Sequence, residues 1–318
     1  MSTVVENIGQ DQGQDEPLDP LKESPAPPDR VFYATGVLLD AEDFNAEQIY
    51  HRSRLARALV YLHGSGTVAG LKVGYEPPED PDSPEDLKEE IIVDPGVAID
   101  RLGRLIEVPR TACIRLNPWY AGQEADDLRQ AYHEGVTIPA HTEEDENGDD
   151  QLVGEHQVNG VVADVFIRFV ACGRGKTPAF ASGPFDAIDA VQPSRLRDAY
   201  KLKLFLRKKT EGEEGQGQLP LPETFWPTDK AELTEAIFGV WKLTARDEQN
   251  RLEPLNEHLA GQDASYLFLA RVVIPTEDLT ELDADGRPRR RREEKVEIIN
   301  EIRPFVYSTA ALARLAGL

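Results

Sequence analysis

The chain has 318 residues, a formal net charge of −23 and two cysteines. This length allows two ordinary domains or one large one, and it can bury a core without disulfides or metal. The charge argues against general nucleic-acid binding, because a phosphate backbone would be repelled. Two cysteines, Cys113 and Cys172, are too few for a disulfide framework, and this fits a reducing compartment.

Targeting signals are missing from the residue pattern. No apolar run reaches the ~20 residues that a membrane helix needs, so we expect no membrane span. The first residues, MSTVVENIGQDQGQDEP, lack the basic start and apolar core of a signal peptide. We therefore expect a protein that is made and folded in the cytoplasm.

The composition divides the chain into four parts. Residues 1–29 are acidic and proline-rich and are predicted to be a disordered arm, with a tether that orders on a partner as the alternative. Residues 30–117 are predicted to form an N-terminal domain of one helix and β-hairpins, residues 118–157 an acidic helix and loop connector, and residues 158–318 a mainly-β domain. The fold class is α+β, mainly β, with a long N-terminal helix followed by antiparallel hairpins or sandwich-like sheets.

The best-marked element is a helix predicted over residues 41–62. Asp40 is a good N-cap, and Asp43 completes an arrangement like a capping box. Acidic residues in the first half and basic residues in the second half suit the helix dipole. Its main apolar stripe contains Phe44, Leu55, Leu59 and Leu62, with Ile49, Ala56 and Val60 beside it. We expect the stripe to pack in the core, with a packing face for a neighbouring subunit as the alternative.

A hairpin turn is predicted at Asp100-Arg101-Leu102-Gly103. Aspartate favours the first position of such a turn, and glycine supplies the positive φ that the turn requires. The strands on its two sides contain Ile91–Val93 and Leu105–Val108, and an acidic loop at residues 76–90 precedes them. Asp100 and Gly103 are therefore predicted to be structural residues.

The remainder of the chain alternates strands with polar segments. Strands are predicted at residues 158–172, from about Ala199, at 266–274 and at 295–302. Helices are predicted near residues 124–133, 229–239 and 308–315, a charged loop at 142–151 and a linker at 211–218.

Two segments resemble ligand-binding loops, and each lacks a required part. Gly175-Lys176-Thr177 suggests a phosphate loop, but Val170 stands where that loop needs glycine, and Pro178 follows in place of a helix N-terminus. Residues 281–292 begin like a calcium loop, but Arg292 stands where the loop needs a bidentate glutamate. We therefore predict no catalytic residue, no cofactor and no metal site.

Three blocks of sequence together resemble a known family. The first block is met by Tyr33, Gly36, Leu38, Leu39, Asp43, Phe44, Glu47, Gln48 and Tyr50, the second by Leu62, His63, Gly64, Gly66, Val68, Gly70, Leu71 and Val73, and the third runs from Pro95 through Ile106. They resemble a poorly characterised family of bacterial and archaeal proteins found alongside phage-tail-like contractile injection systems. The middle block is also similar to attachment segments of phage baseplate and tail-fibre proteins. No catalytic residue is carried over from this family.

The resemblance implies a structural accessory component of a phage-tail-like particle, at its baseplate or fibre-attachment end. The implied partners are baseplate, sheath or fibre proteins, with a homo-oligomer as a further option. Interface hot spots favour aromatic residues and arginine. The interface candidates are accordingly Phe32, Tyr33, Tyr50, Arg54 and Arg57.

Two other function classes stay open at this point. A carbohydrate- or surface-binding module could present an aromatic platform made of Trp119 and Tyr120, or of Trp226 and Trp241. A hydrolase is the third reading. The basic run at residues 289–292 is predicted to be a solvated hairpin tip, with docking to an acidic neighbour as the alternative.

Overall fold

The structure, a computed structural model, describes residues 29–78, 88–144, 150–178, 191–209, 219–222, 229–248 and 251–317, together with Leu21. The predicted disordered arm lies outside the described residues except for Leu21 and Asp29. The predicted linker at 211–218 and most of the acidic loop at 76–90 lie outside them as well.

The described helices and strands follow one another in an order dominated by strands. The helices are α1 (Ala41–His63), α2 (Leu116–Ala121), α3 (Ala125–Gln130), α4 (Lys230–Gly239) and α5 (Thr309–Leu315), with a 3-10 turn at Val240–Thr244. The strands of the first half are β1 (Gly66–Gly70), β2 (Val73–Glu76), β3 (Glu90–Val93), β4 (Gly96–Ile99), β5 (Leu105–Val108), β6 (Ala112–Arg115), β7 (Tyr132–Ile138), β8 (His141–Glu144) and β9 (Asp150–Val153). Those of the second half are β10 (His156–Pro178), β11 (Val191–Leu206), β12 (Leu267–Pro275) and β13 (Glu297–Ile299).

The paired strands form antiparallel sheets, which confirms the predicted α+β, mainly-β fold. Two three-stranded sheets have the orders β1-β4-β5 and β2-β3-β6. The largest sheet has the order β11-β10-β12-β13, with β7 paired to the start of β10. Strands β8 and β9 form a separate hairpin.

The main core packs against one face of the largest sheet. Alternate residues of β10, including Val165 and Ile167, share one cluster with Leu71 from the region of the small sheets and Trp119 of α2. This cluster therefore draws residues from all three segments that composition separated after residue 29. The opposite face of β10 is also covered, because Val162 and Phe166 belong to two further buried clusters.

A buried carboxylate lies in the middle of that opposite face. Asp164 is fully buried and accepts hydrogen bonds from Arg207 and from Arg271, whose Nε atoms each lie 2.8 Å from a carboxylate oxygen. Arg271 stands directly across from Asp164 on β12. Sharing one carboxylate between two guanidinium groups satisfies the charges where water is excluded.

Residues near the C-terminus complete the first small sheets. Thr67 of β1 forms a parallel bridge with Phe305, and its carbonyl accepts a hydrogen bond from Val306 N–H at 2.8 Å. The Asn300 side chain makes two hydrogen bonds of 3.0 Å with the backbone of Val73. These contacts satisfy backbone groups at exposed sheet edges, which would otherwise stay unpaired.

Several predicted element boundaries were wrong. The two ends of the charged loop expected at 142–151 belong to the paired strands β8 and β9, and the helix expected near 124–133 is the shorter α3 followed by β7. Strand β11 begins at Val191, well before the predicted start near Ala199, because its pairing with β10 extends from Ala163 to Pro178. The strand expected at 295–302 is limited to β13, which pairs with three residues of β12. Tertiary pairing, which local propensity does not report, set these limits.

Candidate interaction surface

Helix α1 begins where the sequence predicts. Asp40 Oδ1 accepts hydrogen bonds from the N–H groups of Glu42 and Asp43 at 2.9 and 3.2 Å, and Asp43 Oδ2 accepts from Asp40 N–H at 3.1 Å. This reciprocal arrangement is a complete capping box. At the other end, Gly64 N–H donates to the Val60 carbonyl at 2.9 Å. Local hydrogen bonds thus define both ends of the helix, independently of tertiary contacts.

One face of α1 rests on the turn at residues 100–103. Gly103 has φ of 79°, which confirms the predicted positive φ, and a Cβ at this position would overlap the backbone carbonyl of Ala56. The buried Asp100 carboxylate accepts hydrogen bonds from Leu102 N–H and Arg104 N–H, each at 2.9 Å, and from Arg104 Nε at 2.6 Å. The turn is therefore held rigidly, and the helix backbone approaches it very closely.

This close approach decides which face of α1 is buried. The buried residues of the helix are Ser53, Ala56 and Val60, and the small side chain of Ala56 lets the helix backbone meet Gly103. The leucine-rich stripe lies on the opposite side: Phe44, Leu55 and Leu62 are 51%, 58% and 77% exposed. The prediction that this stripe packs in the core was wrong, because the turn accepts only small side chains on the face that meets it.

The exposed apolar character continues into the segment that precedes the helix. Large apolar side chains at residues 32–39 are exposed, and Leu38 is 95% exposed. The Tyr33 side chain forms a hydrogen bond with Glu47, and this bond is the main reason why the pKa of Tyr33 is raised. The same contact connects the segment to the first half of α1. We call the exposed residues of this region the N-terminal apolar surface: Phe32, Tyr33, Val37, Leu38, Leu39, Phe44, Leu55 and Leu62.

The predicted interface candidates lie on or beside this surface. Phe32 and Tyr33 belong to it, while Tyr50 is half-buried on a neighbouring side of α1. The Arg54 guanidinium lies 5.3 Å from the centre of the Tyr50 ring, and Arg57 is half-buried one turn further along. The structure thus places Tyr50, Arg54 and Arg57 on α1 and Phe32 and Tyr33 in the segment before it, and it adds the exposed leucines that were expected in the core.

A second group of exposed apolar residues lies at the C-terminal end of α1. The ring of Tyr61 stacks on the ring of Trp241 with centroids 5.5 Å apart and an angle of 6° between planes. Tyr61 Oη and Thr244 Oγ1 are within hydrogen-bonding distance at 2.7 Å. Trp241 remains largely exposed, as do Ile237 and Phe238 of α4. The sequence analysis named Trp241 but had no signal that would join it to α1.

The first proposed aromatic platform does not form. Trp119 and Tyr120 are both buried, and each polar group is engaged: Trp119 Nε1 donates to Leu204 O at 3.2 Å, and Tyr120 Oη donates to Pro288 O at 2.8 Å. These rings serve the core and cannot stack on a sugar in solvent. Trp226, the partner suggested for Trp241, lies outside the described residues.

The basic run at 289–292 is not a simple solvated tip. The side chain of Arg290 is buried against Glu89, with Nη1 2.7 Å from the Glu89 carboxylate. Burial opposes ionisation of Glu89, but the hydrogen bonds and charge of Arg290 more than offset it, so the pKa of Glu89 lies below its ordinary value. Arg291 pairs with Glu277 at 2.9 Å. This part of the run is a structural connection within the molecule.

The two segments that resemble ligand-binding loops form a paired strand and a hydrogen-bonded turn. Gly175-Lys176-Thr177 lies inside β10, where the backbone is paired with β11. Asp283 Oδ1 accepts hydrogen bonds from the N–H groups of Asp285 and Arg287 at 2.9 and 2.8 Å, which forms a turn. Among the described residues, no group of three histidine, cysteine or acidic side chains is placed to hold a metal ion. None of the described helices is long and apolar enough to cross a membrane.

Comparison with known proteins adds no assignment. No protein-family model matches the chain, and no curated protein is significantly similar to it. The fold and the surface define a mainly-β protein whose N-terminal helix carries exposed apolar side chains, and its function has to be argued from that surface.

Proposed function

We propose that the protein is a non-catalytic structural component of a phage-tail-like contractile particle, and that it docks onto another particle protein through the N-terminal apolar surface. The observation that carries this proposal is the outward position of Phe44, Leu55 and Leu62 on a helix whose opposite face is buried. Contiguous exposed apolar patches on a protein surface mark interaction sites.

The energetic case follows from the size of the exposed side chains. Burying a leucine or phenylalanine that was exposed contributes roughly 1.5–3 kcal/mol. The surface presents several such residues, and its aromatic members Phe32 and Tyr33 are of the type that dominates interface hot spots. A groove that covered the stripe would thus gain enough free energy to offset the cost of association.

The helix is also held in place before any partner arrives. The capping box fixes its start, and the contact between Ala56 and Gly103 fixes its position on the small sheets. A preorganised helix loses little conformational entropy on binding, which favours affinity. This is the helix-in-groove mode, in which residues spaced along one helix face serve as anchors.

The assignment to a particle, and to its baseplate or fibre-attachment end, rests on the resemblance of the three sequence blocks. Two of these blocks contain α1 and the residues that follow it. The same proposal includes the assembly of the particle from proteins that are made in the cytoplasm. A gene neighbourhood that encodes sheath, tube and baseplate proteins would support it.

The test is a binding measurement with purified sheath, baseplate and fibre proteins encoded beside this chain. The variant Phe44→Gln, Leu55→Gln, Leu62→Gln removes the stripe while keeping a good helix former at the leucine positions. Losing about 1 kcal/mol at each residue should weaken the partner's affinity about 100-fold. The melting temperature should stay close to that of the wild type, because the replaced side chains are exposed.

A matched control replaces other exposed leucines with glutamine: Leu152, Leu279 and Leu282. Leu152 is 78% exposed, against 77% for Leu62, while Leu279 and Leu282 are 39% and 38% exposed, so the control loses somewhat less exposed apolar area than the stripe variant. The control should bind the partner with wild-type affinity. Equal binding by the stripe variant and the control would reject the N-terminal apolar surface as the docking site, and failure to bind any particle protein would reject the proposed function.

A further inference from the structure

The exposed residues of α1 follow the spacing of a coiled-coil seam. In a coiled coil, the residues that face the partner helix recur at alternating intervals of four and three positions. From Phe44 to Leu62, every position at these intervals is exposed, over about 27 Å of helix. We call these positions the α1 seam: Phe44, Gln48, His51, Leu55, Ala58 and Leu62.

The α1 seam points away from the body of the molecule. The buried residues Ser53, Ala56 and Val60 lie on the opposite face, where the helix backbone meets Gly103. One side of the helix is therefore already covered, and only the seam side is accessible. A deep groove that encloses a whole helix cannot close around α1, whereas a single partner helix can lie along the seam.

Two arginines flank the middle of the seam. In a two-stranded coiled coil, the residues beside the seam positions face charged residues of the partner. Arg52 directly follows His51, and Arg54 directly precedes Leu55. Arg54 is exposed, and the Arg52 side chain is 34% exposed. A partner helix along the seam would thus meet a positive charge on each of its two sides.

Two acidic residues of the chain lie near these flanks. Asp198 Oδ1 is 3.9 Å from Arg52, but the Asp198 side chain is 67% exposed, and exposed pairs of this kind contribute little. Glu47 directly precedes Gln48 on the flank near the helix start, and it already forms a hydrogen bond with Tyr33. The flanks of the seam therefore favour a partner whose own flanks are acidic.

A second copy of this chain fits the seam less well. Two parallel copies would pair Glu47 with Arg52 across the contact. They would also place Gln48 on Gln48 and His51 on His51, and two adjacent polar layers in the middle weaken a coiled coil. Two antiparallel copies would bring the Arg54 side chains of both copies together near the centre. A different helix, with leucine along its whole seam and acidic flanks, has neither defect.

We infer that the partner of the N-terminal apolar surface contributes one amphipathic helix, apolar along its seam and acidic on both flanks, which packs along the α1 seam as a two-stranded coiled coil. The inference rests on the proposed function, because it names the occupant of the same surface. The exposed apolar residues of the seam supply the affinity, and acidic residues that face Arg52 and Arg54 select the partner.

Two synthetic peptides test this occupant on the full chain. Each peptide has about three heptads with leucine at both seam positions, and one carries glutamate at every flank position where the other carries lysine. Like charges on its own flanks discourage either peptide from pairing with itself. Fluorescence anisotropy should show that the glutamate peptide binds about 10-fold more tightly, because the two arginines attract it and repel the lysine peptide. The stripe variant Phe44→Gln, Leu55→Gln, Leu62→Gln should bind neither peptide.

Reversing the charges on α1 should reverse the choice of peptide. The variant Arg52→Glu, Arg54→Glu should bind the lysine peptide more tightly, and R52Q/R54Q should bind both peptides with similar affinity. The glutamine variant keeps the test decisive if the reversed charges disturb folding, which thermal unfolding would show. The control variant Lys72→Glu, Arg110→Glu reverses two exposed charges outside α1, so the net charge changes by the same amount. It should keep the preference for the glutamate peptide.

Three results would overturn the inference. The first is that neither peptide binds at millimolar concentration. The second is equal affinity of the wild type for both peptides, or a preference that Arg52→Glu, Arg54→Glu leaves unchanged. The third is a wild-type dimer in sedimentation equilibrium that the stripe variant converts to a monomer, which would make a second copy the occupant of the seam.

The failure of this inference and the failure of the proposed function give different results. Binding of the glutamate peptide, together with no binding to any particle protein, would reject the particle role and support the helical occupant. A particle protein whose affinity falls in the stripe variant, together with no binding of either peptide, would support the docking role and reject the helical occupant.

Discussion

Replacing Gly103 with alanine tests how α1 is seated on the molecule. Gly103 combines two constraints, because its φ is 79° and because a Cβ there would overlap the carbonyl of Ala56. The substitution therefore strains the turn and also pushes the helix away from it. The expected result is a loss of global stability together with partial release of α1.

The magnitude follows from the two effects taken separately. A left-handed conformation costs an L-residue about 1–2 kcal/mol. Forcing an extra methyl group into a closed contact costs about 1–3 kcal/mol, since backbone must move. We expect a combined loss of about 2–5 kcal/mol in the free energy of unfolding, with valine at position 103 at the upper end.

Gly261 provides a matched control, because its φ is 78° and a Cβ there would meet nothing within 4 Å. Gly261→Ala should lose only the conformational part, about 1–2 kcal/mol. Urea unfolding gives both free energies, and hydrogen exchange of the α1 amides should accelerate in Gly103→Ala alone. Equal losses in the two variants, with unchanged exchange in α1, would refute the reasoning that the helix backbone rests on this turn.

Two further predictions concern buried charge. Burial lowers the pKa of His258 to about 4, and its neutral ring suits both neighbours, since Leu255 N–H donates to Nδ1 at 3.2 Å and Nε2 lies 2.9 Å from Tyr266 O. As the pH falls, His258 is protonated in the unfolded chain before it is protonated in the folded protein. The free energy of unfolding should therefore fall by about 3 kcal/mol as the pH drops from about 6.5 to about 4. His258→Gln should remove that part of the pH dependence in urea titrations, and an unchanged profile would contradict it. Asp164→Asn should cost about 3–5 kcal/mol in the same assay, because two buried guanidinium groups share the carboxylate. The exposed partner of Arg287 is the control: Asp285→Asn should cost less than about 1 kcal/mol, and similar losses at both aspartates would show that Asp164 is not a buried counter-charge.

The sequence predicted α1 well but assigned its faces wrongly. The cap residues act locally, so Asp40 and Asp43 mark the start of the helix without reference to the rest of the chain. The buried face depends on Gly103, a distant residue whose backbone meets that of Ala56. Hydrophobicity alone predicts that Phe44 and the leucines are buried. A close contact between backbones instead requires a small side chain, such as that of serine or alanine, on the buried face. The small residues Ser53 and Ala56, three positions apart, were the feature of the sequence that could have indicated the buried face.

The buried charges show a second limit of sequence reasoning. Asp164 interrupts the apolar run at residues 161–167 and Arg271 that at residues 266–274, and a charged residue at such a position predicts a buried partner. The identity of the partner follows only from the pairing of β10 with β12, which joins residues 107 positions apart. The pairing of β10 with β12 ends at Ile167 while its pairing with β11 continues to Pro178, and local propensity does not encode these limits.

The closure of the small sheets by the end of the chain has a consequence for biosynthesis. Val73 obtains its hydrogen bonds from Asn300, 227 residues later, and the Leu71 carbonyl obtains one from Arg303, 232 residues later. Until those residues leave the ribosome, one edge of β2 and one edge of β1 lack partners, although α1 has been synthesised for many seconds at about 5–20 residues per second. A chain that stops early cannot finish the platform under α1. Synthesis of residues 300–306 is thus a condition for completing the sheets on which α1 rests.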